Sequence, residues 1–273
     1  MKRIRYALRT LAWLGLVLAL SIETGAAQDL NLNLGLDLNL NLDLNLDHLD
    51  YLDYLDYDDY DDDRELTAEV SADGIDEILL NGHNGKATIE VGTSDQIRIR
   101  VKIKAKRKGL VYKSSAGRAY VEDARLETDT RGGTLAVTLS DGRGRKDTEE
   151  AWTIGVPRRL AVVVEMSAAS IDITDVTGGV EVNLGVGKAN VDVPRGNIKV
   201  RVSVGNATVE TQTDSYGDVN LRAQVGKTRL WIGGHRIKYS NPPGPGSKVS
   251  MEGEGRDQIK VFVQVGDASL RVG

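Results

Sequence analysis

The fourteen residues VEVNLGVGKANVDV, from Val180 to Val193, decide how the rest of the chain is read. Their apolar residues alternate at Val180, Val182, Leu184 and Val186, and alternate again at Ala189, Val191 and Val193, but on the opposite parity. In one straight strand, such a shift would send the second set of side chains into water. A glycine at the break, Gly187, lets the backbone turn and return both sets to one interior. The stretch is therefore expected to be two short strands joined at a bend, with Val186 and Ala189 on the same inner side.

The pattern recurs. Aligned on their Val-Gly pairs, similar stretches begin at 160 (LAVVVEMSAASIDI), 198 (IKVRVSVGNATVET), 219 (VNLRAQVGKTRLWI) and 259 (IKVFVQVGDASLRV). In the third, Ile198, Val200, Val202 and Val204 precede the bend, and Ala207, Val209 and Thr211 follow it. On this alignment Ser167 replaces the bend glycine of the first copy, and NGKATIEV (84–91) is a weaker copy of the second half. The step before 259 is about twice the others and contains NPPGPGS (241–247), which cannot be a central strand because proline lacks the ladder donor. An array in which each coil covers the next follows. The expected fold is all-β, a β-solenoid-like stack of two-strand coils of about 20 residues, with an antiparallel β meander or sandwich as the alternative.

Composition agrees. The 273 residues contain one Phe and no Cys, so aliphatic side chains must build the core, and thirty Gly supply corners. The absence of Cys excludes a disulfide framework. Residues 1–27 read as a signal peptide: Lys2, Arg3, Arg5 and Arg9, then an apolar run too short for a membrane span, then Gly-Ala-Ala. Residues 28–65 form an acidic low-complexity arm of Leu, Asn, Asp and Tyr. It alternates Leu from Leu30 to Leu46, and it holds twelve Asp with no Lys, Arg or Glu up to Asp63. Residues 66–273 form the repeat domain. The body from 64 onward is mildly basic, with 31 basic against 27 acidic side chains. The arm matches no calcium-loop spacing, which leaves loose counter-ion attraction as the reading of its carboxylates.

The stretch WTIGVPRRLAVVVEMSAASIDITDVTGGVEVNLGVG, with its Val156-Pro157 strand end, together with GNIKV at 196 and GDVNL at 217, resembles the putative-adhesin family of bacterial envelope β-strand-repeat proteins. That family is a domain of unknown function, related to the toast-rack domains of envelope-stress regulators. The resemblance covers roughly residues 66–273. It implies a secreted or envelope-associated, solenoid-like domain and offers no catalytic residues to carry over.

Chemistry is sparse. VGKTRL (225–230) lacks the first glycine of a phosphate loop, and GVGKAN (185–190) lacks the strand-helix context of a dinucleotide site. His48, His83 and His235 show no metal spacing. No cofactor is expected, and the chain is read as no enzyme. The rival is a glycan-active enzyme, which needs converging carboxylates. Asp192 and Glu210 are the one adjacent-coil pair in a column, with Trp231 expected next to them.

Two surface features stand out. In IRIRVKIKAKRK (97–108) the outward residues Arg98, Arg100, Lys102, Lys104 and Lys106 repel one another at about 7 Å spacing, which calls for an anion. Solvent and counter-ions, an anionic envelope polymer or the chain's own acidic arm would each serve; nucleic acid is not expected for an exported chain. Trp231 and Phe262 fall on outward parity, fit either to stack on a sugar or a partner chain or to pack beneath the proline loop or a terminal cap. Asn206-Ala207-Thr208 has the letters of a glycosylation site but sits in an outward slot of the repeat. The sequence thus points to an exported, non-enzymatic, adhesin-like binding or structural module of the cell envelope, periplasmic, outer-membrane-associated or extracellular. No membrane-spanning segment is expected in the mature chain. An envelope-stress regulatory domain with a protein partner is the alternative.

Overall fold

A computed structural model describes residues 63–108, 112–212, 216–238 and 245–273. The segment read as a signal peptide, nearly all of the acidic arm, His48 and most of the proline loop lie outside them.

The strands are β1 (Asp63–Ser71), β2 (Glu77–Val91), β3 (Gln96–Ala105), β4 (Arg107–Lys108), β5 (Tyr112–Lys113), β6 (Leu126–Arg131), β7 (Thr134–Leu139), β8 (Thr148–Val156), β9 (Ala161–Thr174) and β10 (Val180–Asp192). They continue as β11 (Ile198–Thr211), β12 (Tyr216–Val225), β13 (Thr228–Ile232), β14 (His235–Arg236), β15 (Ser247–Met251), β16 (Asp257–Val265) and β17 (Ala268–Val272). Among the described residues one α-helix, α1 (Ser115–Asp123), is capped by the Ser114 hydroxyl, which accepts from the Gly117 amide at 3.3 Å. The fold is all-β.

Strands β2, β9, β10 and β11 each bend at their middle, so each contributes a rung to two limbs of sheet. The rungs stack parallel and in register: Val182 lies between Val164 and Val200, and Val191 between Ile173 and Val209. The inner faces of both limbs fill one aliphatic core. In the second copy this comprises Val180, Val182 and Leu184 before the bend and Ala189, Val191 and, just past β10, Val193 after it. Each such side chain stabilises the fold by about 1.5–3 kcal/mol through burial alone, somewhat less for alanine.

Four expectations need correction. The fourth inward position fails: Val186, Val204, Val225 and Val265 are 52, 48, 45 and 44% exposed, whereas Ala189 is fully buried. The bend occupies four residues, Gly185 to Lys188 in β10. Turning the backbone there tips the valine to the outside of the corner while the parallel pairing survives.

The first copy is also displaced by two residues. Val180 pairs with Val162, and Gly187 with Ala169, so Ser167 is not the counterpart of the bend glycine. The glycine itself is required. Gly187, Gly205, Gly266 and Gly226 have φ between 130° and 138°, and a Cβ on any of them would stand within 1.9 Å of a carbonyl oxygen of the adjoining rung.

The coils do not stack in chain order. The last copy, β16 and β17, lies between β11 and the fourth copy, β12 and β13. Side chains select this order. Asn197 Oδ1 accepts from the Gln258 amide at 2.9 Å, Asn206 Oδ1 from the Asp267 amide at 3.0 Å, and Asp257 Oδ2 from the Gly196 amide at 2.7 Å. Asp267 Oδ1 then accepts from the Lys227 amide at 3.0 Å. Asn206 is thus a fastening between rungs rather than interchangeable surface filler. Besides the loop that interrupts a coil, the double step before 259 holds β14 and β15, which pair antiparallel with β13 and β12.

Both ends of the stack carry antiparallel strands, which blunts the parallel edges. At the far end these are β14 and β15. At the near end β8 and β7 still pair parallel with β2, one on each limb, and the antiparallel strands follow them: β3 and β1 beyond β8, and β6 beyond β7. Here Glu150 is buried. Its carboxylate accepts from Arg145 Nε at 3.0 Å, Trp152 Nε1 at 2.9 Å and the His83 amide at 3.0 Å. This full satisfaction is what a buried charge requires. Beside it, Tyr120 donates to the Ser140 carbonyl at 2.9 Å, and burial pushes its pKa up to about 12.

Candidate binding surfaces

The basic strand is β3, and its outward charges are answered from within the sheet. Antiparallel β1 sets carboxylates beside them: Arg98 pairs with Glu69 at 3.2 Å, Arg100 with Glu65 at 3.3 Å, and Lys102 and Lys104 with Asp63 at 2.5 and 3.8 Å. Lys106 lies past the strand end, with its Nζ 3.5 Å from the Lys146 carbonyl. Carboxylates of the same chain thus meet four of the five outward cations expected to call for an anion. The described part of the acidic stretch, Asp63 to Glu65, does lie along the basic strand.

The carboxylate column also differs from expectation. Asp192 and Glu210 are neighbours across β10 and β11, but the next rung presents Arg271, and Trp231 follows only after it. Arg271 donates to Glu210 at 2.8 Å, and its guanidinium lies 5.4 Å from the centre of the Trp231 ring. A shallow cleft of about 270 Å³ opens here, lined in part by Asp175, Asp192, Glu210 and Arg271. Burial, then Glu210 and Asp175, hold the Asp192 carboxyl above its ordinary range. Glu210 is held in an ion pair with Arg271, while Asp192 stands beside it across β10 and β11. Among the described residues, no three His, Asp or Glu side chains converge on a metal position. His83 Nδ1 meets the Ser167 hydroxyl at 3.2 Å, His235 is exposed on β14, and the phosphate-loop-like Gly226-Lys227 is one of the corners.

Phe262 stands on the outer face of the first limb. Its row runs Arg201, Phe262, Arg222, Lys248 across β11, β16, β12 and β15, and the row beside it begins Lys199, Lys260. The Arg222 guanidinium lies 5.8 Å from the centre of the Phe262 ring, so a guanidinium attends each flagged aromatic; packing beneath the proline loop falls on residues outside the described ones. Glu181 binds Lys199 at 2.7 Å and Arg201 at 3.4 Å, and its carboxyl is held low first by the hydrogen bond from Lys199. Among the described residues no carboxylate pairs with Arg222, Lys248 or Lys260; Lys260 donates instead to the Gln258 side chain at 2.8 Å. The acids Asp218 and Glu252 stand at the margin of this face, toward the strand starts. No stretch of sequence announces the cluster, because its residues come from four strands that the coil order brings together.

The exposed valines complete the surface. Val186, Val204, Val265 and Val225 are consecutive partners across β10, β11, β16 and β12, so they form a straight row at a step of about 4.8 Å. They are the only exposed large hydrophobic residues among those described. Their signal was in the sequence: each is the Val of a Val-Gly pair by which the copies align.

No family model matches the chain, and no curated protein matches it. Solved structures do resemble it. A putative cell adhesion protein from Clostridium sporogenes is 16% identical with a TM-score of 0.47, over 77% of this chain and 100% of that one. A putative adhesin from Bacteroides fragilis is 12% identical with a TM-score of 0.30, over 77% and 97%. A putative lipid binding protein from Parabacteroides distasonis is 11% identical with a TM-score of 0.20, over the same shares. The first two are designated adhesion proteins, as is the family that the sequence resembles; the third is not.

Proposed function

We propose that the chain is an exported, non-enzymatic, adhesin-like binding module of a bacterial cell envelope. In this reading residues 1–27 are its leader, residues 28–65 its acidic arm and residues 66–273 its binding domain. The observation that carries it is the row of half-exposed valines on a frame of paired strands. Folding does not require apolar side chains there, and a contiguous exposed apolar feature marks an interaction surface. The polar chemistry points the same way, since Glu210 and both flagged aromatics are engaged by arginines.

Cell fractionation combined with cross-linking of the full chain in its native envelope tests this reading. The protein should partition with the envelope and recover a constant envelope component. A purely cytosolic distribution, or an envelope fraction from which nothing is recovered, would overturn it. Recovery of one signalling protein, with altered stress signalling on deletion, would establish the regulatory alternative.

A further inference from the structure

We infer that the partner of this surface is a bilayer bearing anionic lipids, which the valine corner enters as a shallow wedge; this rests on the binding-module reading above. Three observations converge on a lipid surface.

The first is shape. The four valines sit on the outside of a bend, so they form a convex ridge. Because their rungs are in register the ridge is straight, about 14 Å between its end rungs. A straight convex ridge can bring all its side chains to one plane at once, and a bilayer interface offers such a plane. A second copy of the chain would gain little, because four half-exposed valines present roughly 300 Å², well below the roughly 800 Å² per partner of a stable protein interface.

The second is charge. Immediately past the corner glycines, Lys188 and Lys227 stand exposed at opposite ends of the ridge on the second limb. Asp267 lies between them, and it is paired with Arg229 at 2.8 Å. On the first limb Arg201, Arg222 and Lys248, with Lys199 and Lys260 behind, face the same way as the ridge's other flank. Cations therefore stand on both sides of an apolar edge. Long basic side chains can keep their heads at headgroup level while the edge enters the acyl boundary. Their attraction acts within a Debye length of the surface, about 8 Å at physiological ionic strength.

The third is the row between ridge and cations. Ser203, Gln264 and Gln224 precede the valines, and none is charged, so on the first limb the residues next to the ridge carry no ionised group. The described residues contain no helix able to cross a membrane, and a ridge of this size acts from the surface. A polysaccharide would use the cations and leave the valines idle.

Flotation of the full chain lacking residues 1–27 on vesicles of phosphatidylcholine with about a third phosphatidylglycerol tests the inference. Binding is expected there and is expected to be at least about tenfold weaker on pure phosphatidylcholine. Converting Val186, Val204, Val265 and Val225 to Thr should weaken binding about tenfold or more at both low and high salt. Arg222→Gln with Lys248→Gln should weaken it at low salt only. A binding assay with inorganic phosphate and one with a soluble polyuronate separate headgroup chemistry from the bilayer itself, and neither should saturate the surface. Absence of vesicle binding, or vesicle binding untouched by the valine changes, would overturn the wedge. Polyuronate binding lost with the Arg222 and Lys248 changes, without vesicle binding, would assign the surface to polysaccharide. Recovery of envelope partners without vesicle binding would sink this inference and leave the binding-module reading standing.

Discussion

Two basic regions of the molecule look alike in composition and behave differently. In β3 four cations stand on one strand, and the next strand supplies Asp63, Glu65 and Glu69 to meet them. Around Phe262 the cations are gathered from β11, β12, β15 and β16, and Glu181 answers only the two on β11. Charge along a strand thus says little about a surface until the neighbouring strands are known. The strand whose sequence advertises its charge is the one the fold neutralises; the cluster left open is assembled from single residues spread over sixty positions.

The sharpest way to break this comparison is to remove the rung that makes the second region. Gly266 has φ 130°, and a Cβ there would stand 1.7 Å from the Gly205 carbonyl oxygen. Gly266→Ala should cost about 4 kcal/mol or more, since both the backbone conformation and the rung spacing must yield. Gly233, at φ 56° with nothing within 4 Å, is the control, and its alanine variant should cost only about 1 kcal/mol. Denaturant unfolding reads both. Similar losses in the two variants would show that close stacking at the corner is not what the glycines serve.

How much of this was legible follows from the same corner. Alternation at Val180, Val182 and Leu184, with its parity change before Ala189, was enough to give an all-β stack, because a period of two and a glycine bend leave few other structures. The direction of Val186 was not readable, since alternation describes straight strands and the bend spans four residues. The rung order was hidden for another reason. Most copies offer Val, Gly and Ala in the same columns, so core packing scarcely distinguishes one neighbour from another. The choice rests on Asn197, Asn206, Asp257 and Asp267, polar residues whose roles exist only across the interface between rungs. Lys188, in the slot of Asn206, can only donate, so it cannot make the same fastening. The cation cluster and the Arg271 between Glu210 and Trp231 depend on that order and were hidden with it.

A smaller change sharpens the comparison by making the first region resemble the second. Glu65→Gln with Glu69→Gln removes the partners of Arg100 and Arg98, both exposed pairs. Stability should fall by less than about 1 kcal/mol, as expected for surface ion pairs. Retention on a polyanionic resin should rise and should fade with salt. Unchanged retention would mean that neutralisation by β1 is not what keeps β3 silent.

The smallest effect concerns the acidic counterpart of the open cluster, where Asp175 and Asp192 share a cleft with Glu210 and only Glu210 meets Arg271. Burial first, then the charges of Glu210 and Asp175, raise the Asp192 pKa above its ordinary 3.8 in the folded protein. The folded state therefore holds this proton more tightly than the unfolded chain. The stability it contributes is fully present below pH 3.8 and is lost as pH rises through the folded value. Asp192→Asn, which carries no such charge, should match the parent protein in acid and exceed it slightly at neutral pH. Solvent screening at this exposed position keeps the gain small. Thermal unfolding of both proteins from pH 3 to 7 reads the difference. A gain that is the same at every pH would assign it to packing, whereas one confined to the neutral end would show that like charges left together in the cleft cost the fold stability.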